Sequence, residues 1–98
     1  GDEEFVKALA EAFLQEIPVD LQKLKDAVFQ QDAAHVKYYA HKMKPTLDMF
    51  ETGLVSTCLN MEKWGENQMP DLNIEHTFAG FEIQVKTIVE EIRNDFGL

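Results

Sequence analysis

Apolar residues recur at helical spacing through most of this chain. The clearest run lies near the C-terminus, where successive apolar residues are three or four positions apart: Ile74, Phe78, Phe81, Val85, Ile88 and Ile92. An α-helix needs this spacing to present one continuous apolar face, whereas a half-buried strand would alternate apolar and polar residues. Because no segment shows a convincing alternation, the sequence predicts an all-α protein.

Composition limits the size of the fold and the kinds of partner. The 98 residues are 45% hydrophobic, and we expect residues 1–98 to form a single domain with its own core. Cys58 is the only cysteine, which excludes an internal disulfide and favours a reducing, cytoplasmic setting. The N-terminus is acidic, unlike a signal peptide, and no apolar run reaches the ~18 residues needed to span a membrane. With 18 acidic and 9 basic residues, the surface should repel phosphate backbones and anionic lipid, so we expect neither nucleic acid nor membrane as a partner.

The first half of the chain predicts three helices. A short helix is expected from Glu3 to Glu16, and a second should begin at Pro18, because proline is tolerated in a first turn. The inward residues of these two helices are predicted to be Val6, Leu9, Phe13, Ile17, Leu21, Leu24 and Val28. A third helix is expected after Asp32, which can cap it. Its apolar stripe is Val36, Ala40, Met43, Leu47, Phe50 and Leu54.

Two further helices are predicted in the second half. One should begin between Glu51 and Gly53, carry Leu54, Cys58 and Met61 inward, and stop at Gly65. After a loop over residues 65–72, the last helix follows, with Gly97 just past its end. The four longer helices bury their stripes most economically as an antiparallel up-down-up-down four-helix bundle, and the additional short N-terminal helix would cap one end or flank the bundle.

His41 lies among lysines in the middle of the third predicted helix. At ~100° per residue the apolar stripe covers a face about 80° wide, and His41 falls outside it, so its ring should point to solvent. Lys37 lies one turn before it and Lys44 one turn after. The window 33–47 contains Lys37, Lys42 and Lys44 but no acidic residue, although the chain carries a formal charge of -9. This pattern predicts a positive potential around the imidazole.

Pro45, four residues after this histidine, lies where helix interiors normally exclude proline. In a helix interior, proline lacks the N–H that would bond to the His41 carbonyl, at a cost of ~3 kcal/mol. The apolar stripe nevertheless continues in register from Met43 to Leu47, which favours one kinked helix over two helices. Such an exception beside an exposed histidine is typical of a functional site.

A family resemblance rests on these residues. The string Ala40-His41-Lys42-Met43-Lys44-Pro45-Thr46 resembles the Ala-His-x-Leu-Lys-Gly-Ser motif of histidine-containing phosphotransfer (HPt) domains of phosphorelays. The flanking residues also look like that family's pattern over most of the chain: Phe13-Leu14, Pro18, Leu21 with Leu24, Asp32, and Leu54 with Cys58 and Glu62. The chain departs from the motif at Pro45, where the family usually has glycine, and at Thr46, where it has serine. A partner approaches the histidine closely at that glycine, so the departure bears on the geometry of docking.

The resemblance implies a histidine phosphotransfer protein. His41 would accept a phosphoryl group from the aspartyl phosphate of a receiver domain, in a response regulator or a hybrid sensor histidine kinase, and donate it again. A neutral imidazole is a competent nucleophile for this step. Lys44 would stabilise the phosphoryl charge and Lys37 would give electrostatic support. The residues expected to contact the receiver are Tyr38, Lys42, Pro45, Asp48 and Met49.

No cofactor or metal site is expected in the chain itself, and the receiver would supply the metal. The chain has no Gly-rich phosphate loop and is too short for an ATP-binding domain as well, so we expect a phosphocarrier without autokinase activity. Two alternatives remain open. A helical adaptor would keep the bundle and bind a signalling partner without phosphoryl transfer. A metal-binding bundle enzyme would need its histidines on one face, but His35 and His41 are ~240° apart on the helix. The only other histidine is His76, and no Glu-x-x-His pair occurs.

Overall fold

The computed structural model describes residues 1–98 and contains four α-helices and no strand. The helices are α1 (Asp2–Phe29), α2 (Ala33–Met49), α3 (Val55–Gly65) and α4 (Ile74–Phe96). The all-α prediction is therefore confirmed. None of the four helices combines the length and the apolar character that crossing a lipid bilayer requires.

The predicted helix boundary at Pro18 is wrong. The structure has one helix of 28 residues that continues through Pro18, so the short N-terminal helix is not a separate element. Proline cannot donate to the Leu14 carbonyl, which costs about 3 kcal/mol in a helix interior. Phe13 and Ile17 before the proline and Leu21 after it are all buried. Because each such burial contributes about 1.5–3 kcal/mol, packing on both sides outweighs the lost hydrogen bond.

The beginning of α1 is less buried than predicted. Val6 is exposed and Leu9 is only half-buried, while Ala10 and Phe13 are fully buried. Val6 shares a surface depression with Asp95 and Phe96, at the end of α4. The inward face of α1 therefore has little to pack against before residue 10.

The core is one cluster of 20 buried apolar residues drawn from all four helices. Within it, α1 packs against α2 and α4, and α3 packs against the same two helices. Five of the six positions predicted for the last helix are buried, but Ile88 is half-buried and Val89 takes the inward position instead. Gly97 ends α4 in the left-handed conformation, with φ of 65°, as predicted.

The turn between α2 and α3 differs from the prediction. α2 ends at Met49, before the predicted stripe is complete, and α3 begins only at Val55. Glu51 and Gly53 have φ of 52° and 75°, a left-handed backbone that interrupts helical geometry. Leu54 is buried, but it belongs to this turn and not to α2.

Gly65 ends α3, as predicted, and lets it approach α2 closely. A Cβ atom at this position would lie 2.7 Å from the carbonyl oxygen of Ala33 and 2.8 Å from Cβ of Lys37. The first turn of α2 is itself held by Asp32, whose side chain accepts from the His35 amide. This contact therefore places the end of α3 against the N-terminal part of α2, which precedes His41.

Candidate functional site

His41 lies on the outer face of α2. The apolar residues of this helix point inward, and Ala40 and Met43 on either side of the histidine are fully buried. The His41 side chain is 73% exposed. The helical-wheel prediction of an imidazole facing solvent is confirmed. α2 also continues through Pro45 as one helix, as predicted.

A buried carboxylate from α3 contacts the exposed ring. Oε1 of Glu62 lies 2.6 Å from Nδ1 of His41, and Oε2 accepts a hydrogen bond from Nζ of Lys44 at 2.8 Å. Glu62 is only 7% exposed. Because an ionised carboxylate can only accept hydrogen bonds, this contact assigns the proton of a neutral imidazole to Nδ1. Nε2 then keeps its lone pair, and no protein group bonds to it.

Each lysine around His41 has a carboxylate partner. The three ammonium–carboxylate pairs are Lys37 with Glu66 at 3.4 Å, Lys42 with Asp20 at 2.8 Å, and Lys44 with Glu62 at 2.8 Å. The hydrogen bond to Asp20, with its negative charge, raises the pKa of Lys42 above its ordinary value. None of these carboxylates lies in the window 33–47. The positive potential predicted from that window is thus compensated by residues of α1 and of the end of α3.

Two surface depressions flank the histidine. The first has a volume of about 620 Å³ and lies along α2, lined by Ala34, Lys37, Tyr38, His41 and Lys42. The second has a volume of about 340 Å³ and lies between α2 and α3, lined by His41, Lys44, Pro45, Asp48, Val55 and Leu59. Four of the five residues predicted to contact a receiver line one or the other. Met49 is exposed but lines neither.

Comparison with known protein families identifies the family of this chain. A family model described as the Hpt domain matches residues 8–95, which covers nearly the whole chain. The chain belongs to the Hpt family. Hpt domains are phosphocarriers, not autokinases; they serve phosphorelays of two-component signalling and interact with receiver domains of response regulators. No curated protein and no solved structure matched the chain.

Sequence reasoning does not predict two carboxylates of the site of this Hpt domain, Glu62 beside His41 and Asp20 beside Lys42. Glu62 enters the sequence analysis only as part of the family pattern. A signal exists for both. Asp20 falls at inward spacing between Ile17 and Leu24, and Glu62 lies one turn after the buried Cys58. A charged residue at an inward position needs a partner of opposite charge, which here is a lysine of α2.

Cys58 lies beneath the site of the Hpt domain and is fully buried. Burial, reinforced by the negative charge of Glu62, raises the pKa of its thiol to about 12. The thiol is therefore neutral at physiological pH, and it contributes an apolar wall to the network around Glu62.

Proposed function

We propose that this Hpt domain accepts a phosphoryl group on Nε2 of His41 from the aspartyl phosphate of a receiver domain, and passes it to the aspartate of another. The observation that carries the proposal is the contact between Glu62 and Nδ1 of His41 at 2.6 Å, in a ring that is otherwise exposed. A buried acceptor on one nitrogen leaves the other nitrogen as the nucleophile.

The transfer can be written with all atoms accounted for. The Nε2 lone pair attacks phosphorus, the N–P bond forms, and the P–O bond of the acyl phosphate breaks, so that the aspartate leaves as a carboxylate. No proton has to leave Nε2, because the ring proton is on Nδ1. The phosphorylated ring carries positive charge, which the Glu62 carboxylate stabilises through the same hydrogen bond. Transfer to the next aspartate is the reverse reaction.

The lysines have different proposed roles. Lys44 lies one turn after His41, and its ammonium group is held by the same carboxylate, Glu62, that contacts the His41 ring. We assign it the stabilisation of phosphoryl charge. Lys37 lies one turn before His41 and gives electrostatic support from the other side. Both lysines pair with a carboxylate, but the Lys37 side chain is 52% exposed and that of Lys44 is 21% exposed. Because solvent screens the more exposed charge, we expect Lys44 to contribute more.

The receiver is proposed to dock over the two depressions beside His41. Tyr38 and Lys42 offer contacts on one side, and Pro45 and Asp48 on the other. Met49 lies at the end of α2, beyond them. The structure adds two apolar residues to the set predicted from sequence, Val55 and Leu59 of α3, which line the same depression as Pro45.

We also infer that neighbouring helices run antiparallel within one domain of residues 1–98. Residue numbers increase along α2 in the direction in which those of its partners on the α3 side decrease. Lys37 pairs with Glu66, and His41 pairs with Glu62. The same holds for α1 and α4, where Lys25 pairs with Glu82 and Gln31 bonds to Glu75. Short connections between helices favour this arrangement.

The test is transfer of label from a receiver. Each receiver domain of the host is charged with a labelled small phosphodonor and mixed with the protein, and the product is tested for a bond that is acid-labile and alkali-stable. We expect label on the wild type and none on His41→Gln. His35→Gln is the matched control, because His35 is an exposed histidine of the same helix. Equal labelling of wild type and His41→Gln contradicts the proposal, and so does absence of label with every receiver.

A further inference from the structure

The only two buried charged residues of the protein, Asp20 and Glu62, both hold lysines next to His41. Glu62 binds Lys44 from α3, on one side of α2. Asp20 binds Lys42 from α1, on the other side, with 2.8 Å between Nζ and Oδ1. Burying a carboxylate is costly unless a partner compensates. Asp20 does not contact the histidine, so the function proposed above leaves this second pair unexplained.

Lys42 is not buried with its partner. Its side chain is 47% exposed, whereas that of Asp20 is 5% exposed. The lysine therefore reaches from the surface to a buried carboxylate and can turn away without losing contact with water. Lys42 also lines the 620 Å³ depression beside His41.

The second ammonium group at this depression is held in the same way. Lys37 lines it too, and its Nζ lies 3.4 Å from the carboxylate of Glu66, which follows α3. Neither Asp20 nor Glu66 lines the depression. The two cationic groups of this depression are thus both bound by carboxylates that do not line it.

We propose that Asp20 and Glu66 set the affinity of the His41 surface for acidic partners, by holding the ammonium groups of Lys42 and Lys37 that such a partner binds. The occupant is the acidic face of a receiver domain, and the inference rests on the proposed function in this respect. Docking exchanges an internal carboxylate for one of the partner. The internal pairs lower the affinity of this surface for every acidic partner. Contacts elsewhere on the surface then decide which receiver binds.

The charge balance of the whole chain supports this assignment. A protein with formal charge -9 repels an acidic partner at long range, and the three lysines near His41 are a third of its nine basic residues. Close attraction depends on these few groups. A carboxylate that pairs with one of these lysines therefore has a large effect on the affinity for an acidic partner.

The experiment measures the dissociation constant of a receiver domain that donates label to the wild type, at low and at physiological salt. Asp20→Asn should bind it about threefold to tenfold more tightly at low salt, with a steeper loss of affinity as salt is added. Glu66→Gln should bind up to about fivefold more tightly, because an exposed pair holds its lysine weakly. Glu66 is on the surface, so this variant tests the idea even if Asp20→Asn fails to fold.

Two controls separate release of a lysine from other effects. Asp26→Asn removes one negative charge from an exposed position of α1 without touching Lys42, and it should change affinity and salt dependence much less than Asp20→Asn does. In the double variant Asp20→Asn with Lys42→Gln, the gain should disappear. Unchanged or weaker binding of both Asp20→Asn and Glu66→Gln, with label transfer intact, overturns the inference and leaves the proposed function standing. If no receiver donates label at all, both fail.

Discussion

Glu62 on α3 holds the imidazole of His41 on α2 through a contact of 2.6 Å between Oε1 and Nδ1. The two residues differ greatly in burial, since the histidine side chain is 73% exposed and that of the glutamate 9% exposed. A fixed acceptor in the interior thus orients a ring that is open to another protein. The consequence for reactivity can be tested directly.

Glu62→Gln should slow phosphoryl acceptance by about tenfold or more, the usual effect of losing a partner that orients a reactive group. The amide cannot stabilise the positive charge of the phosphorylated ring and does not favour the Nδ1–H tautomer. Rapid-quench transfer from a charged receiver measures the rate, and nitrogen NMR of His41 reports the tautomer. Glu82→Gln is the control, because the Glu82 carboxylate also contacts two nitrogen-bearing side chains but lies on α4, away from the site. Equal rates for the two variants would rule out a role for Glu62.

Lys42→Met should lower stability more than Asp20→Asn does, although both break the same pair. Without its lysine, Asp20 remains buried with no other hydrogen-bond partner, whereas Lys42 without its aspartate can extend into water. Urea unfolding of both variants against the wild type gives the order of their midpoints. The opposite order would mean that Asp20 is less confined than the structure indicates.

Cys58 should be unreactive toward a disulfide reagent in the folded protein. Its thiol is buried and its pKa is raised to about 12 from an ordinary value of 9.0, so little thiolate forms near neutral pH. The rate of modification should therefore follow unfolding, and rise with urea as the protein unfolds. The same shift makes stability fall with rising pH above about 9, because only the unfolded thiol then loses its proton. Fast modification without denaturant would contradict this picture.

Gly65→Ala should destabilise the protein by about 1–3 kcal/mol, because the new Cβ would overlap Ala33 and Lys37. Thermal unfolding measures the loss. Gly80→Ala is the matched control. It is a helical glycine with no atom within 4 Å of the added Cβ, and the substitution should stabilise by about 1 kcal/mol through helix propensity. Stabilisation by both substitutions would show that α2 and α3 do not approach each other as closely at Gly65 as the structure shows.

Pro45→Ala should stabilise the protein by about 1–2 kcal/mol. Alanine restores the hydrogen bond to the His41 carbonyl and removes a cost of ~3 kcal/mol, part of which is offset by the greater freedom of the unfolded chain. Chemical denaturation gives the change. Slowed hydrogen exchange of the new amide at position 45 shows that the bond has formed. A loss of stability would indicate that α2 needs the proline for its packing.

Sequence reasoning succeeded where local periodicity decides the structure. Spacing of apolar residues predicted α2 through Pro45, most inward positions of α3 and α4, and the outward position of His41. It failed at Pro18, where proline chemistry alone predicts a helix start. Burial of Phe13, Ile17 and Leu21 against other helices outweighs that local cost, and a pattern along one chain does not reveal this packing energy.

The amino-acid sequence by itself determined the helical class, the exposed histidine and the family, because each depends on residues close together along the chain. Tertiary structure decided the electrostatics of the site. Three lysines within one acid-free window predict a positive surface, but Asp20, Glu62 and Glu66 come from segments that are distant in sequence and reach the same place only when the helices pack. Charges act through space, so their balance at His41 depends on the arrangement of α1, α2 and α3 and not on the order of residues within α2.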